Sequence, residues 1–265
     1  MLINQKNGIT HETSKRVTIA LSCYKADHYI DGYIDCLKSQ KNIDEIQLIV
    51  FDYPYSHTEP QQVKKIIHKL DKTTLLYIDR GTIKEDLYTT WNQIFSLSNT
   101  DYIANLNLDD RVSQDYFDLA VKTLDSLNLD VFSTNAIALS SAGDLSTEIY
   151  KLRYFEEHEY NESMVKFYGL NDFLRVHGGY LKKSNPPHCA PVWRLFWHKR
   201  IGDFNPIKFD WCSDYEYWLR MAAAGAKFGV HDSFKTYFLS ATGTASDRLY
   251  LENKQSIIEK WKILN

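Results

Sequence analysis

Two adjacent acids, Asp109-Asp110, follow the run Tyr102-Ile-Ala-Asn-Leu-Asn-Leu108, which is otherwise apolar or amide. Adjacent carboxylates repel, so a fold keeps such a pair together more readily when a cation shares the site. A hard divalent cation, Mg²⁺ or Mn²⁺, takes oxygen ligands from one or two carboxylates and from substrate phosphates. The commoner use of an isolated Asp-Asp pair is capping or solvation at a loop; its place after a strand-like run brings metal binding into contention. Asp214, in Trp211-Cys-Ser-Asp-Tyr-Glu-Tyr-Trp218, falls in the first turn of an expected helix. A helix N-terminus stabilises a carboxylate by about 0.3–1 kcal/mol, a sufficient structural reason for it. The chemical alternative is a general base facing an aromatic-walled cleft. His188, in Asn185-Pro-Pro-His-Cys-Ala-Pro191, stands out among nine histidines because prolines fix its loop, although a satisfied structural histidine is the plainer use. GxGxxG, the phosphate-loop motif GxxxxGKS/T, GxSxG and HExxH are all absent from the sequence.

These residues need elements to position them. Val17–Cys23, Ile46–Phe51, Leu75–Ile78 and Tyr102–Asn107 are strand-like runs. Between and after them, apolar residues at helical spacing predict helices over Tyr29–Leu37, about Pro60–Leu70, Glu85–Leu97 and Gln114–Leu127. Such alternation implies right-handed crossovers and a mostly parallel sheet. Ligands of such sheets bind beyond the carboxyl ends of the strands. That edge should carry Ser22–Lys25, Asp52–His57, Asp79–Asp86 and Asn107–Arg111.

The second half predicts a strand over Asp130–Leu139 and a turn at Ser140–Asp144. An irregular aromatic-rich insertion is expected over 148–180. A helix follows at Ser213–Ala224, with Ser213 and Glu216 as a capping box and Gly225 as its stop. A strand at Phe228–Phe238 and a last helix at Leu249–Leu264 complete the chain.

Composition is ordinary for a globular protein: 265 residues, 44% hydrophobic, 25% charged, net charge −3. That excludes a disordered chain and a strongly basic nucleic-acid binder. Aromatics reach 14%. Four cysteines without CxxC spacing read as buried thiols. The polar first sixteen residues lack the apolar centre of a signal peptide, and no run approaches the ~20 apolar residues of a membrane span. The expectation is a cytoplasmic protein.

The ordered segments resemble family 2 glycosyltransferases of the GT-A fold over most of residues 15–247. The opening VTIALSCYKADHYIDGYIDCLKSQ is similar to the family's first strand and helix, and Leu48-Ile-Val-Phe-Asp52 to its IIVVDDGS segment. Leu87-Tyr-Thr-Thr-Trp-Asn92 and Thr100–Asp110 resemble its RN…DxDD block. Ala190-Pro-Val-Trp-Arg194, Ile201-Gly-Asp-Phe204, Ser213-Asp214 and Trp218-Leu-Arg220 resemble the acceptor-side block ending in EDxxxxxR.

The resemblance implies one α/β GT-A domain: a Rossmann-like, mostly parallel sheet flanked by helices. Residues 15–112 would form a nucleotide-sugar half, 113–247 an acceptor half and 248–265 a C-terminal helix. It places Ser22, Tyr24, Asp52 (on a base, usually uracil), Lys84, Asn92 and Asp110 at the nucleotide or donor sugar. Asp109 becomes the ligand of Mn²⁺ or Mg²⁺, and Asp214 the base. His188, Trp193 and Arg194 fall on the acceptor side. The implied reaction is inverting transfer from a nucleotide sugar, UDP-linked, to a hydroxyl of a glycan or lipid-linked acceptor. Four departures from the pattern are visible: Asn107 begins the DxD triplet, Trp91 replaces the Arg of RN, Asp52-Tyr-Pro-Tyr-Ser56 replaces DDGS, and Ser213 replaces the Glu of ED. They keep open a catalytically silent carbohydrate-binding protein on the same fold. A nucleotidyltransferase is disfavoured by the lack of a Gly-rich loop after the first strand. The tail sets Leu249, Leu251, Ile257, Ile258, Trp261 and Ile263 among Lys254, Lys260 and Lys262. Such a helix either packs on its own domain, the plainer expectation, or lies on an acidic membrane surface.

Overall fold

The computed structural model describes residues 15–25, 29–54, 59–70, 74–82, 84–139, 161–174, 185–239 and 254–261. Among these residues nine strands form one sheet in the order β3-β2-β1-β4-β8-β6-β9-β5, with β7 also paired to β9. The strands are β1 Val17–Cys23, β2 Ile46–Asp52, β3 Thr74–Asp79, β4 Tyr102–Asn105, β5 Asp110–Val112, β6 Val131–Leu139, β7 Val165–Tyr168, β8 Val192–Arg194 and β9 Phe228–Leu239. The helices are α1 Ile30–Lys38, α2 Glu59–Ile67, α3 Leu87–Ser96, α4 Tyr116–Ser126, α5 Leu170–Leu174, α6 Phe196–Ile201, α7 Pro206–Phe209 and α8 Ser213–Ala223. A last helix, α9, spans 254–261. The four strands β3-β2-β1-β4 are mutually parallel; β8 is antiparallel to β4 and β6, and β9 is parallel to β6.

Alternation along the strands divides the core into two faces. Ile19, Leu21, Leu48, Val50, Tyr102 and Ala104 join residues of α1, α2 and α4 in one cluster. Ala20, Ile49, Phe51 and Ile103 point the other way, into an aromatic cluster with Trp91 and Phe95 of α3, Trp197 of α6, Tyr215, Tyr217 and Trp218 of α8, and Ile257 and Ile258 of α9. All four cysteines are buried and free. No described helix is long and apolar enough to cross a membrane.

Three local expectations are corrected. Ser213 and Glu216 do not form a capping box. A 3₁₀ turn, Asp210–Cys212, runs straight into α8, so Ser213 is already helical at φ −64°, ψ −32°. Its hydroxyl donates to the Asp210 carbonyl at 2.7 Å, while both Glu216 oxygens accept from Arg220 Nε at 2.9 and 3.0 Å. An N-cap needs extended backbone, which that turn excludes. The stop at Gly225 does form: at φ +90° it completes a Schellman motif, with Ala226 N–H on Met221 O and Gly225 N–H on Ala222 O.

The second correction concerns 148–180, whose described part holds β7 and α5. β7 buries Val165 but leaves Phe167 exposed, so pairing to β9, not burial of an alternating face, makes it a strand. The third is β5, which begins at Asp110 where a loop was expected and pairs with Thr236–Phe238 of β9. The expected turn at Ser140–Asp144 lies outside the described residues, as do 249–253 and 262–265 of the tail. In its described part Ile257 and Ile258 are buried and Lys254 is fully enclosed, so these residues pack on their own domain.

Where β7, β9 and the loop before β6 meet, Gly229 is the only residue that fits. A Cβ there would lie 2.5 Å from Leu129 Cδ1 and 3.0 Å from Val165 Cγ1, and Leu129 is itself fully buried. Gly229→Ala should therefore destabilise the protein by about 1–3 kcal/mol, read from the urea unfolding midpoint.

Candidate active site

The carboxyl ends of β1, β2 and β3 meet at one edge. Cys23 pairs with Asp52 and Asp52 with Asp79, closing both ladders at the same level. Asp52 is buried there and accepts a hydrogen bond from the Tyr77 hydroxyl. Burial, then that carboxylate, pushes the Tyr77 hydroxyl well above its ordinary value. Beside it the Tyr24 ring carries Lys84 Nζ at 4.2 Å and Lys25 Nζ at 5.5 Å from its centroid. Ser22, Tyr24 and Lys84 thus gather at one edge, with an aromatic face and two cations where a nucleoside diphosphate could lie.

Past β4 the chain turns sharply. The Asn107 N–H donates to Asp110 Oδ2 at 3.1 Å, and the Asp110 N–H to Asn107 O at 3.0 Å. Arg111 supports this turn from below. It is 1% exposed, and its Nη1 donates at 2.7 Å to both Leu108 O and Asp110 O, its Nη2 at 3.1 Å to Tyr29 O. α1 passes so close that a Cβ on Gly32 would stand 2.9 Å from Arg111 Nη2. Even with this guanidinium near, burial raises the Asp109 carboxyl, and burial plus the charge of Asp109 pushes Asp110 up to about 7. Two carboxylates driven toward protonation form a donor set that a divalent cation relieves, and Mg²⁺ and Mn²⁺ commonly bind through one or two carboxylates plus substrate phosphates. The residues fit such an ion: Asp109, half-exposed, would ligate it, with Asp110 behind. Among the described residues no three His, Cys, Asp or Glu side chains cluster to hold a metal by themselves.

Asp214 sits in the first turn of α8 and is held from two directions. Tyr88 Oη of α3 donates to Oδ1 at 3.2 Å, and Asn185 Nδ2 donates to Oδ2 at 3.0 Å. Tyr88 Oη also reaches Trp211 O at 3.0 Å. The segment Asn185–Ala190 then spans from one acidic centre to the other. Asn185 bonds Asp214; four residues later the buried Cys189 thiol is pushed well up by burial and by its contact with Asp110. Ser133 Oγ on Cys189 O at 3.2 Å and Tyr116 Oη on Ala190 O at 2.6 Å fix that end. His188 lies between, exposed, its ring 4.7 Å from that of Phe238, the strand partner of Asp110.

A family model described as glycosyl transferase family 2 matches residues 18–189. The chain belongs to that family. Among solved structures, TarS 1-349 from S. aureus superposes with a TM-score of 0.64 at 14% identity, over 91% of this chain and 64% of that one. A second structure of TarS 1-349, in complex with UDP, gives 0.63 at 14% identity over 92% and 64%. The mannosyltransferase PcManGT from Pyrobaculum calidifontis, in complex with GDP-Man and Mn²⁺, gives 0.63 at 14% identity over 95% and 65%. The chain therefore spans just under two thirds of each of these chains, and the likeness is one of fold: GT-A, a mostly parallel sheet flanked by helices. No curated protein matches it.

Three residues that the family 2 resemblance placed in the site do structural work instead. Trp193 is fully buried in β8, edge-on to Trp218 and Phe95. Arg194 donates to Leu129 O at 2.8 Å and Leu124 O at 3.1 Å, and pairs across the sheet with Tyr102 at the amino end of β4, away from the ligand edge. Asn92 commits both ends of its amide to the Phe204 backbone, at 2.9 and 3.1 Å. Conversely, Tyr88, Arg111, Asn185 and Cys189 were not anticipated. Asn185 stands before the Pro-Pro-His run and Arg111 after the acidic pair, but Asn185 meets Asp214 29 residues on and Arg111 reaches Tyr29 82 residues back, contacts that leave no local trace.

Arg111 should be indispensable to the acidic turn. Arg111→Met removes the buried cation and one donor from each of three carbonyls, and should cost about 3–5 kcal/mol in urea unfolding.

Proposed function

We propose that this protein transfers a sugar from a nucleoside-diphosphate donor, UDP-linked, to a hydroxyl of a glycan or lipid-linked acceptor, with inversion at the anomeric carbon. The observation that carries the proposal is the segment Asn185–Ala190, which ties the Asp109-Asp110 turn and Asp214 to one rigid strip. A diphosphate-binding centre and a base on a common frame are what single displacement at an anomeric carbon requires. Within the one domain, residues 15–112 would serve the nucleotide sugar and 113–247 the acceptor.

In this reading Tyr24 offers its ring to the base or ribose, Asp52 accepts from a base N–H, and Lys84 faces the phosphates. Asp109 would hold Mn²⁺ or Mg²⁺, which when bound offsets the charge that grows on the leaving diphosphate. Asp110 orients the donor sugar. Asp214 accepts the acceptor proton as the new bond to the anomeric carbon forms. Each of its oxygens already accepts one hydrogen bond, which fixes the carboxylate plane and leaves lone-pair capacity for the proton. Its contribution is therefore mainly one of position. Trp211, half-exposed two residues before α8, supplies an apolar surface suited to a sugar face.

Two measurements test this. Nucleotide release from UDP-glucose, UDP-GlcNAc and GDP-mannose should require Mn²⁺ or Mg²⁺, and Asp109→Asn should abolish the metal requirement together with most of the rate. Asp109→Asn turning over at the wild-type rate without metal refutes the assignment. Asp214→Asn should lose about 10²–10⁴-fold in turnover while UDP affinity, measured by calorimetry, stays unchanged.

A further inference from the structure

Glu85 directly follows Lys84 and directly precedes Asp86, the N-cap of α3, whose Oδ1 accepts from the Thr89 N–H at 2.9 Å. The Glu85 side chain is half-buried, and its Oε2 alone accepts from three side chains on three separate segments. Tyr53 Oη, from the residue after β2, donates at 3.1 Å. Arg80 Nη2, from the residue after β3, donates at 3.2 Å, and Gln93 Nε2 of α3 at 3.0 Å. Three donors on one oxygen exceed the two lone pairs of a neutral acceptor, and the charge of a carboxylate is what gathers them. Two of the donors are themselves well seated. Tyr53 is 1% exposed and its hydroxyl also meets Thr90 Oγ1 of α3 at 2.9 Å, while the Arg80 guanidinium lies 4.9 Å from the centroid of the buried Phe51 ring.

These contacts close a ring at the strand ends. The Tyr53 N–H donates to Cys23 O at 2.9 Å and the Arg80 N–H to Asp52 O at 2.8 Å, so both residues are tied by backbone to the ends of β1 and β2. Tyr24 follows Cys23, and Lys84, the neighbour of Glu85, sets its ammonium 4.2 Å from the centroid of the Tyr24 ring. The ring of contacts thus runs from Tyr24 through Cys23 and Tyr53 to Glu85, and through Lys84 back to Tyr24. Lys84 is exposed, and a lysine side chain left to itself samples many rotamers. We propose that Glu85 is a positioning residue for nucleotide recognition: its carboxylate ties the ends of β2 and β3 to α3 and so holds Lys84 over Tyr24 in the arrangement that receives the donor nucleotide. The proposal rests on Tyr24, Asp52 and Lys84 as the nucleotide edge. Ordering Lys84 and Tyr24 before the nucleotide arrives removes that cost from binding. Loss of Glu85 therefore weakens the donor complex and leaves the bond-making step to Asp109 and Asp214, which lie outside the ring.

The test uses the full chain with Mn²⁺ and whichever of UDP and GDP the wild-type protein binds more tightly by calorimetry, each variant being measured well below its own Tm. Glu85→Ala should weaken that nucleotide about 10-fold or more, and raise the KM of the matching nucleotide sugar to the same extent with kcat within about twofold. Glu85→Gln, which keeps an acceptor oxygen and loses the charge, should fall between Glu85→Ala and wild type. Tyr53→Phe, which opens the ring on its other side while leaving Lys84 and Glu85 in the chain, should reproduce part of the loss. Should Glu85→Ala not fold, Glu85→Gln takes its place in every comparison. Lys84→Met should weaken binding as well. Because Glu85 acts through Lys84, the double variant should lose less than the product of the two separate factors. Wild-type affinity and KM in the Glu85 variants, or losses that simply multiply in the double variant, overturn the role of Glu85 and leave the nucleotide edge standing. A wild-type protein that binds neither UDP nor GDP overturns the edge and the role together.

Discussion

Two carboxylates and a guanidinium occupy consecutive positions 109–111, and the last two are almost wholly buried. Burying a carboxylate beside a second, half-exposed one is costly, and the surrounding elements are arranged around that cost. Arg111 turns back under the chain to take the Leu108 and Asp110 carbonyls, and reaches the Tyr29 carbonyl just ahead of α1. α1 must in turn present a glycine, because Gly32 lies against the guanidinium. β5 then locks the turn to β9 by antiparallel pairing. These contacts do not offset the burial and the charge of Asp109 that together raise the Asp110 carboxyl. A site left in that condition is poised for a cation and an anionic substrate together.

The opposite face of the sheet meets a different demand, that of holding one carboxylate still. Asp214 rides on α8, whose inner side carries Tyr215, Tyr217, Trp218 and Leu219. These interlock with Trp193, Phe95, Phe204 and His198 through edge-on and stacked ring contacts 4.6–6.3 Å between centroids. Rings have few rotamers to lose, so such a cluster gives a stiff bed. Burial lowers the His198 pKa, which keeps its ring neutral within that bed. Arg220 finishes the mount, joining Glu216 to the Ile201 and Asp203 carbonyls and so tying α8 to the end of α6.

Much of this frame was legible in the residues. β1 matches its seven-residue strand-like run end to end, and the helical spacing of Tyr29–Leu37 located α1 to within a residue. A β-rich composition carried the first reading and helical period the second. The acidic pair and Asp214 were visible as chemistry because little else in the sequence competes with them. What stayed hidden depends on distance along the chain. β5, β7 and β8 are three or four residues long and exist because β9, β6 or β4 offers a partner. Trp193 and Arg194 looked like site residues because they stand in an acceptor-side motif. A motif conserves a spacing, and the spacing here serves the core. Ser213 reads as a cap from local pattern alone, and the 3₁₀ turn before it takes that role away.

The segment 185–190 resolves a remaining difficulty. The acidic turn joins β4 to β5 and Asp214 belongs to a helix more than a hundred residues later, so neither element by itself fixes the gap between them. Displacement at an anomeric carbon tolerates little error in that gap, since misplacement by an ångström can cost 10²-fold. Asn185 and Cys189 each touch one centre and are only four residues apart. Pro186 and Pro187 stiffen the chain between them, as their rings fix φ. Anchors at Tyr116 and Ser133 hold the far end to α4 and β6. A short, proline-stiffened strip with an anchor at each centre transmits distance better than two long elements meeting through a core. His188 projects from the middle of that strip, exposed, against the strand partner of Asp110.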